Sequence, residues 1–572
     1  MSIYKNKIIR HLLVIISVIF LFVAIYLLMG INYAVCDDTA MRNIASGAQT
    51  GTPDGHLVYI MYPLGWFMAT LYKINNHFDW YGIVFIVLQA ICLIRIVIRL
   101  LNRCQDKKET ILTIIGMIVF FLVIWNKSLT NFQFSTTAAI LSGTSCFIIY
   151  EACRNDDVHW KDIIESLLFL IVSMMVRKKV ALMAMAFYSL IFLYYRFDWK
   201  KRKIKDLKKW IVFPFFVLCV FFATPLNNLL GYSSSEWEEY KKFNLARSNI
   251  YDYYGVPEYE ENIDFYNSLG IDENEFSIIK SYSLKLDDSI DKEKMIKIAE
   301  KSKEIYNEER GNIVKRTVQS LNKALSTVFD SHYLSFWMWI FISIGFSIYL
   351  RKHQLIIFQF LMIISMCFGF FYLCWEGRMP ERTIDSIFIV VCLSMGTEFI
   401  HIKHFLNEFE NPLKKGICVI LSFITLCCTI DASYCTWILT RDTRKRNNDL
   451  ILFEQYLKTN EDNFYFTMVN VGLFGYSSDF HIKYEPKSLN YLGLGGWGTN
   501  APTTNQKQIN DKIENVINCL FYKDNCYLMA HPSYEIETIV QALQNKYGKI
   551  DVKLIDEQSF ESLSFNVYKL EK

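Results

Sequence analysis

The feature that most constrains this chain is a series of apolar runs, each about as long as the hydrocarbon core of a bilayer is thick. A helix needs about 20 apolar residues to cross roughly 30 Å of hydrocarbon. The first run, Ile8 to Gly30, meets that length. It is too long for a secretory signal peptide and lacks a small-residue cleavage site, so it reads as a retained helix. About eleven such spans can be drawn: 8–30, 80–101, 110–126, 134–150, 162–176, 180–196, 210–229, 333–350, 354–375, 384–401 and 416–437. A hydrophobic content of 52% and a mean hydropathy of +0.19 over 572 residues agree with a polytopic membrane protein. The net charge of +3 carries no nucleic-acid signal; the placement of the charges carries the information.

Lysine and arginine in short connections favour the cytoplasmic side. Lys5, Lys7 and Arg10 precede the first span, and Arg99, Arg103, Lys107 and Lys108 follow the second. The segment 199–209 after the sixth span holds seven basic residues. Arg351 and Lys352 follow the eighth span, and Lys403, Lys414 and Lys415 the tenth. All fall on one side if the N-terminus is cytoplasmic. The expected organisation is therefore an N-terminal membrane module 1–230 with a first outer loop 31–79, an extracytoplasmic helical region 231–332, membrane helices 333–437 and an extracytoplasmic α/β domain 438–572. Within the last, Phe464–Asn470, Cys526–Ala530 and Phe565–Lys569 read as strands, and Asp449–Lys458 and Tyr534–Tyr547 as helices. Leu57 to Ile74 reads as an amphipathic interfacial stretch, and Asp291 to Leu325 as helical.

Two turns break the charge rule. Arg177, Lys178 and Lys179 follow the fifth span and Arg378 and Arg382 the ninth, both on the outer side. Cations at that depth are costly unless they snorkel to headgroups or hold an anion. Arginine forks together with lysine charges suit a phosphate at a membrane surface. The chain also has three Asp-Asp pairs. Asp156-Asp157 and Asp287-Asp288 lie among other charges and read as solvated. Asp37-Asp38 sits at the exit of the first span, on the face of the two cationic turns, where a carboxylate can act as a general base or ligate a divalent cation such as Mg or Mn through oxygen.

Most of the 15 cysteines lie in apolar runs and read as packing residues; Cys519 and Cys526 are the pair positioned for a local disulfide. The glycine-rich run Leu492 to Gly498 lacks the Lys-Ser/Thr ending of a phosphate-binding loop, so it reads as a loop in which Trp497 is available to stack on a sugar.

An N-terminal span followed at once by an acidic pair, an interfacial segment and further spans resembles the C-type glycosyltransferases, most clearly over residues 1–230. These include protein O-mannosyltransferases, the lipid A aminoarabinose transferase and many bacterial cell-envelope enzymes. Gly51–His56, Tyr62–Gly65, Tyr251–Pro257 and Gly377–Arg382 also look like segments of bacterial multi-pass proteins of this kind. The resemblance implies inverting transfer of a sugar from a polyprenyl-phosphate donor to an extracytoplasmic glycan, lipid or protein. It implies Asp38 or Asp37 as base, with Asp38 slightly favoured. Arg177, Lys178, Arg378, Arg382 and Arg42 become the donor-phosphate contacts, and His56 and Trp497 candidate sugar or acceptor contacts. The outer region 231–332 departs from characterised members. A polysaccharide polymerase or ligase acting on lipid-linked glycans, a transporter or flippase, and a non-catalytic surface assembly are the competing expectations. Paired halves with interrupted midplane helices, the usual mark of a transporter, are not evident.

Overall fold

The computed structural model describes residues 7–154, 158–198, 203–205, 207–349, 351–395, 412–534 and 536–572. Asp156 and Asp157, Lys403 and the end of the expected span 384–401 lie outside them. The described chain is mostly helical. Nine of its helices are long and apolar enough to cross a membrane by length and composition. Each expected span is found as a helix over its described residues; Trp160–Val176 is shorter than that standard, and the span 384–401 is described only as far as Met395, in Glu381–Met395. Large apolar side chains such as Phe20, Leu28, Phe221 and Phe368 stand exposed on the outer faces of these helices, as a lipid-facing surface requires.

At the centre lies Phe134–Cys153, buried at every residue. Its composition explains how helices can surround it. Ala138, Ala139, Ser142 and Gly143 let Trp160–Val176, Lys178–Arg196 and Glu381–Met395 approach closely, and small hydroxyls bridge them. Ser142 and Ser173 meet hydroxyl to hydroxyl at 2.5 Å, and Gln89 donates to Thr137 at 3.1 Å. A Cβ at Gly143 would collide with Leu393. The N-terminal end of the central helix and that of Trp80–Leu101 meet near Asp38. Arg99 sits about 27 Å along Trp80–Leu101 from Tyr81 and pairs with Asp162 and Glu165, and Arg103, just past the end of that helix, pairs with Glu151 of the central helix.

The polar regions differ from the sequence expectation in their boundaries. Helix Pro412–Thr459 runs unbroken past residue 437, carrying one apolar helix directly into the C-terminal domain. That domain holds a five-stranded sheet: β1 Phe464–Thr467, β2 Tyr491–Gly493, β3 Cys526–Ala530, β4 Asp551–Ser559 and β5 Ser564–Glu571, in the order β2-β1-β3-β5-β4. β2, β1 and β3 are parallel; β4 and β5 form an antiparallel hairpin beside them. Strands β2 and β4 were not legible in sequence, the first because it is only three residues and the second because its side chains are mostly polar and exposed. Cys526 on β3 and Cys519 are both free thiols, so the expected disulfide is absent.

Region 231–332 is not a separate unit. Phe243, Ile279, Met295 and Ile298 share one hydrophobic core with Phe466, Leu528 and Leu543 of the sheet domain. Asp287 is buried rather than solvated: it accepts from Lys546 Nζ at 2.6 Å. Burial pulls its pKa upward, but hydrogen bonds from Lys546 and Ser289 outweigh that and hold the carboxyl below the usual carboxylate range. Asp291 to Leu325 forms two helices, Lys292–Glu309 and Ile313–Val328, and the amphipathic stretch folds as Tyr62–Ile74 with Trp66 and Ile74 exposed.

Candidate functional site

The short helix Cys36–Ser46 begins where the first apolar helix has ended and turned. Successive residues on a helix point about 100° apart, so Asp37 and Asp38 face different surroundings. Asp38 turns inward and is fully buried. Its Oδ1 accepts from the Tyr81 hydroxyl at 2.8 Å and from the Phe134 N–H at 3.1 Å, while Oδ2 has no hydrogen-bond partner. Burial pushes its pKa up to about 8 against the pull of these donors. Arg42 lies four residues on, on the same side of the helix. It reaches Asp79 at 3.7 Å and Ser478 at 3.0 Å and stacks on Tyr484 at 4.5 Å.

Asp37 turns outward, onto a cavity of about 470 Å³. Six cations line it: Arg177, Lys179, Lys241, Arg247, Arg378 and Arg382. Against them stand only Asp37 and Asp252 among the described residues, a formal excess of four positive charges. Arg382 donates to Asp37 Oδ2 at 3.1 Å, and the Trp497 indole N–H donates to Oδ1 at 3.0 Å. Asp252 is shared by Arg247 at 3.2 Å and Arg378 at 3.4 Å. Arg177 has no salt bridge among the described residues. It caps both Trp160–Val176 and Lys178–Arg196 in extended conformation, which ends one helix and starts the next. Its guanidinium lies over the rings of Tyr59 and Phe134 at 5.0 and 5.1 Å. Burial and, next, the neighbouring Arg382 push its pKa down; burial does the same to Lys241. Arg247 in the same wall runs the other way: burial lowers its pKa, but Tyr282 and Asp252 outweigh that and raise it.

The backbone at the rim is unusual. Val58 sits at φ 55°, which a β-branched residue rarely adopts, with its N–H donating to the Tyr232 hydroxyl at 3.2 Å. Across the cavity Arg247 donates to the hydroxyl of Tyr282, another non-glycine residue with positive φ, at 2.6 Å. The glycine-rich run threads close by: a Cβ at Gly495 would collide with the Tyr282 carbonyl oxygen, and Gly496 has φ 93°. These glycines let the loop pass through and present Trp497 to Asp37.

Of the residues singled out in sequence, Asp37, Arg177, Lys179, Arg378, Arg382 and Trp497 share this cavity. Asp38 and Arg42 do not: Asp38 packs inward, and Arg42 turns to the side of Ser478 and Tyr484. Lys178 also points elsewhere, donating to Thr224 Oγ1 at 2.6 Å. His56 stands one ring behind the wall: it bonds Asp54 at 2.5 Å and the Gly231 carbonyl at 2.6 Å and stacks on Trp237, which does line the cavity. Arg247, Lys241 and Asp252 were not anticipated. They lie on the charged helix Ser235–Ser248 and the π-turn Asn249–Tyr254, where sequence alone shows ordinary solvated charge.

Compared with family models, curated proteins and solved structures, the chain matches none. The chemistry is therefore read from the cavity. A divalent cation does not fit it. Both Asp37 oxygens already accept hydrogen bonds, the surrounding charge is positive, and among the described residues no group of three or more His, Cys, Asp or Glu comes together. An anion fits, with a carboxylate at its edge.

Proposed function

We propose that this chain is a membrane glycosyltransferase that moves a sugar from a polyprenyl-phosphate donor to an acceptor on the outer face of the membrane, with inversion. In this proposal the N-terminus lies in the cytoplasm and the sheet domain outside. The observation that carries this reading is the cavity that combines Asp37 with six cations beside the ends of apolar helices.

In this reading the donor phosphate lies against Arg177, Arg378 and Arg382. Asp37 accepts the proton of the acceptor hydroxyl as that oxygen forms a bond to the anomeric carbon. The bond from that carbon to the phosphate oxygen breaks, and its electron pair leaves with the polyprenyl phosphate. The phosphate thereby gains one negative charge, which the cationic wall stabilises; electrostatic stabilisation of this kind is commonly the largest catalytic contribution. Arg382 links the two halves of the step. Its bond to Asp37 Oδ2 holds the carboxylate in an ion pair, and a phosphate that draws Arg382 away leaves the carboxylate free to serve as base.

The test is turnover of a radiolabelled polyprenyl-phosphate hexose by the chain in nanodiscs. Polyprenyl phosphate should bind, and both Arg177→Ala and Arg378→Ala should weaken that binding. Binding indifferent to both substitutions sinks the reading.

A further inference from the structure

A second cavity, of about 210 Å³, lies on the other side of Trp497. Trp497 lines both cavities. Two neighbours on the short helix divide between them: Cys36 faces the second cavity and Asp37 the first. The partition between them is thus one indole and one helical turn.

The two chambers differ in chemistry. The first is ringed by cations. The second has no carboxylate among its described lining residues, and its two lysines do not make it a basic site. Lys507 is spent on the Leu489 carbonyl at 2.7 Å and on Asp511 at 2.8 Å, which leaves Lys487 alone. What remains is aromatic surface from Phe474, Tyr476 and Tyr491 and uncharged polar groups from Thr39, Gln49 and Thr504. Hydroxyl and amide side chains both donate and accept, as sugar hydroxyls do. Aromatic rings supply flat apolar faces for the C–H side of a pyranose.

Its place in the fold is also that of a ligand site. The cavity opens at the carboxyl ends of β1 and β2, at Thr467 and Gly493. Strand β1 has β2 on one side and β3 on the other, so the connections after β1 and β2 lead to opposite sides of the same strand. Crevices at such positions are where open α/β sheets bind ligands.

We infer that this second cavity binds the acceptor, and that the acceptor is a neutral carbohydrate whose attacking hydroxyl takes the place of the Trp497 indole N–H on Asp37 Oδ1. The inference rests on the proposed sugar transfer. Donor and acceptor then reach Asp37 from opposite sides of Trp497. The indole N–H holds the position of the acceptor hydroxyl until the acceptor arrives.

The test uses saturation-transfer NMR on the full chain in nanodiscs with neutral oligosaccharides of hexose, N-acetylhexosamine and 6-deoxyhexose, and with a serine- and threonine-rich peptide. Polyprenyl-phosphate binding is measured in parallel. At least one oligosaccharide should bind, and Phe474→Ala and Gln49→Ala should each weaken it about fivefold or more while polyprenyl phosphate binds as before. Phe474 is solvent-exposed, so its loss should leave folding intact, and melting curves check this. Saturation transfer to the peptide alone, or to none of the probes, overturns the acceptor assignment. Loss of polyprenyl-phosphate binding in the unaltered chain instead sinks the donor reading.

Discussion

Arg382 closes onto Asp37 across 345 residues of chain, Nη1 to Oδ2 at 3.1 Å. The two residues come from the short helix Cys36–Ser46 and from the helix Glu381–Met395. Their contact fixes which member of the acidic pair belongs to the cavity. Asp37→Asn is expected to lower the rate of sugar transfer by about 10²–10⁴-fold, the usual worth of a positioned base. Asp38→Asn should stay within about tenfold of the parent. Steady-state turnover of the labelled donor by both variants measures the difference, and the reverse order would reinstate Asp38 as base.

Arg378 and Lys178 should separate in the same way. Arg378 faces the cavity beside Asp252, whereas Lys178 is bonded to Thr224 away from it. Arg378→Ala is expected to raise the donor KM by about 10-fold or more, the scale of a charge-assisted contact, and to make donor binding less sensitive to salt. Lys178→Ala should leave both unchanged. KM as a function of ionic strength is the measurement.

Asp38 predicts a pH dependence of stability. Its folded pKa, about 8, lies above the ordinary carboxylate value of 3.8. Between those values the folded chain holds a proton that the unfolded chain releases, so this group's contribution falls as pH rises from about 4 to about 8 and is then flat. Asp38→Asn cannot ionise. Relative to the parent it should gain at least about 1 kcal/mol at pH 8 over pH 5, read from thermal melts at the two pH values.

Asp287 predicts the opposite slope. Lys546 and Ser289 hold its pKa below the ordinary value, so its contribution is present above about pH 4 and is lost as pH falls through the folded value. Asp287→Ala should destabilise the polar region by about 1–3 kcal/mol. It should also loosen the helices of 231–332 from the sheet domain, seen as faster hydrogen exchange at Ile278 and Ile279. Unchanged exchange there would mean that the shared apolar core suffices without the ion pair.

Much of the helical layer was legible because length and hydropathy determine it, and because Arg177, Arg378 and Arg382 stood out against the charge rule. The choice between Asp37 and Asp38 was not legible, since sequence carries no rotational phase for so short a helix. Arg42 lies four residues from Asp38, so the two share a side of that helix and neither lines the cavity that holds Asp37. Arg247, Lys241 and Asp252 were hidden for another reason. A cation on a charged helix becomes informative only when tertiary packing turns it toward a cavity, and that packing depends on a core shared between segments far apart in the chain, as Lys285 and Gln508 illustrate with a separation of 223.

The unbroken helix Pro412–Thr459 sets both a height and a heading. Its 48 residues extend about 72 Å and advance about 100° per residue, so the sheet domain is held at a defined elevation and azimuth above the helical layer. A single-residue insertion in its middle would swing Trp497 around the shaft and away from Asp37. Seven inserted residues, close to two whole turns, would restore the heading while raising the domain by about 10 Å. The helix thus acts as an indexing spindle between the part of the chain that supplies Asp37 and the part that supplies its indole partner.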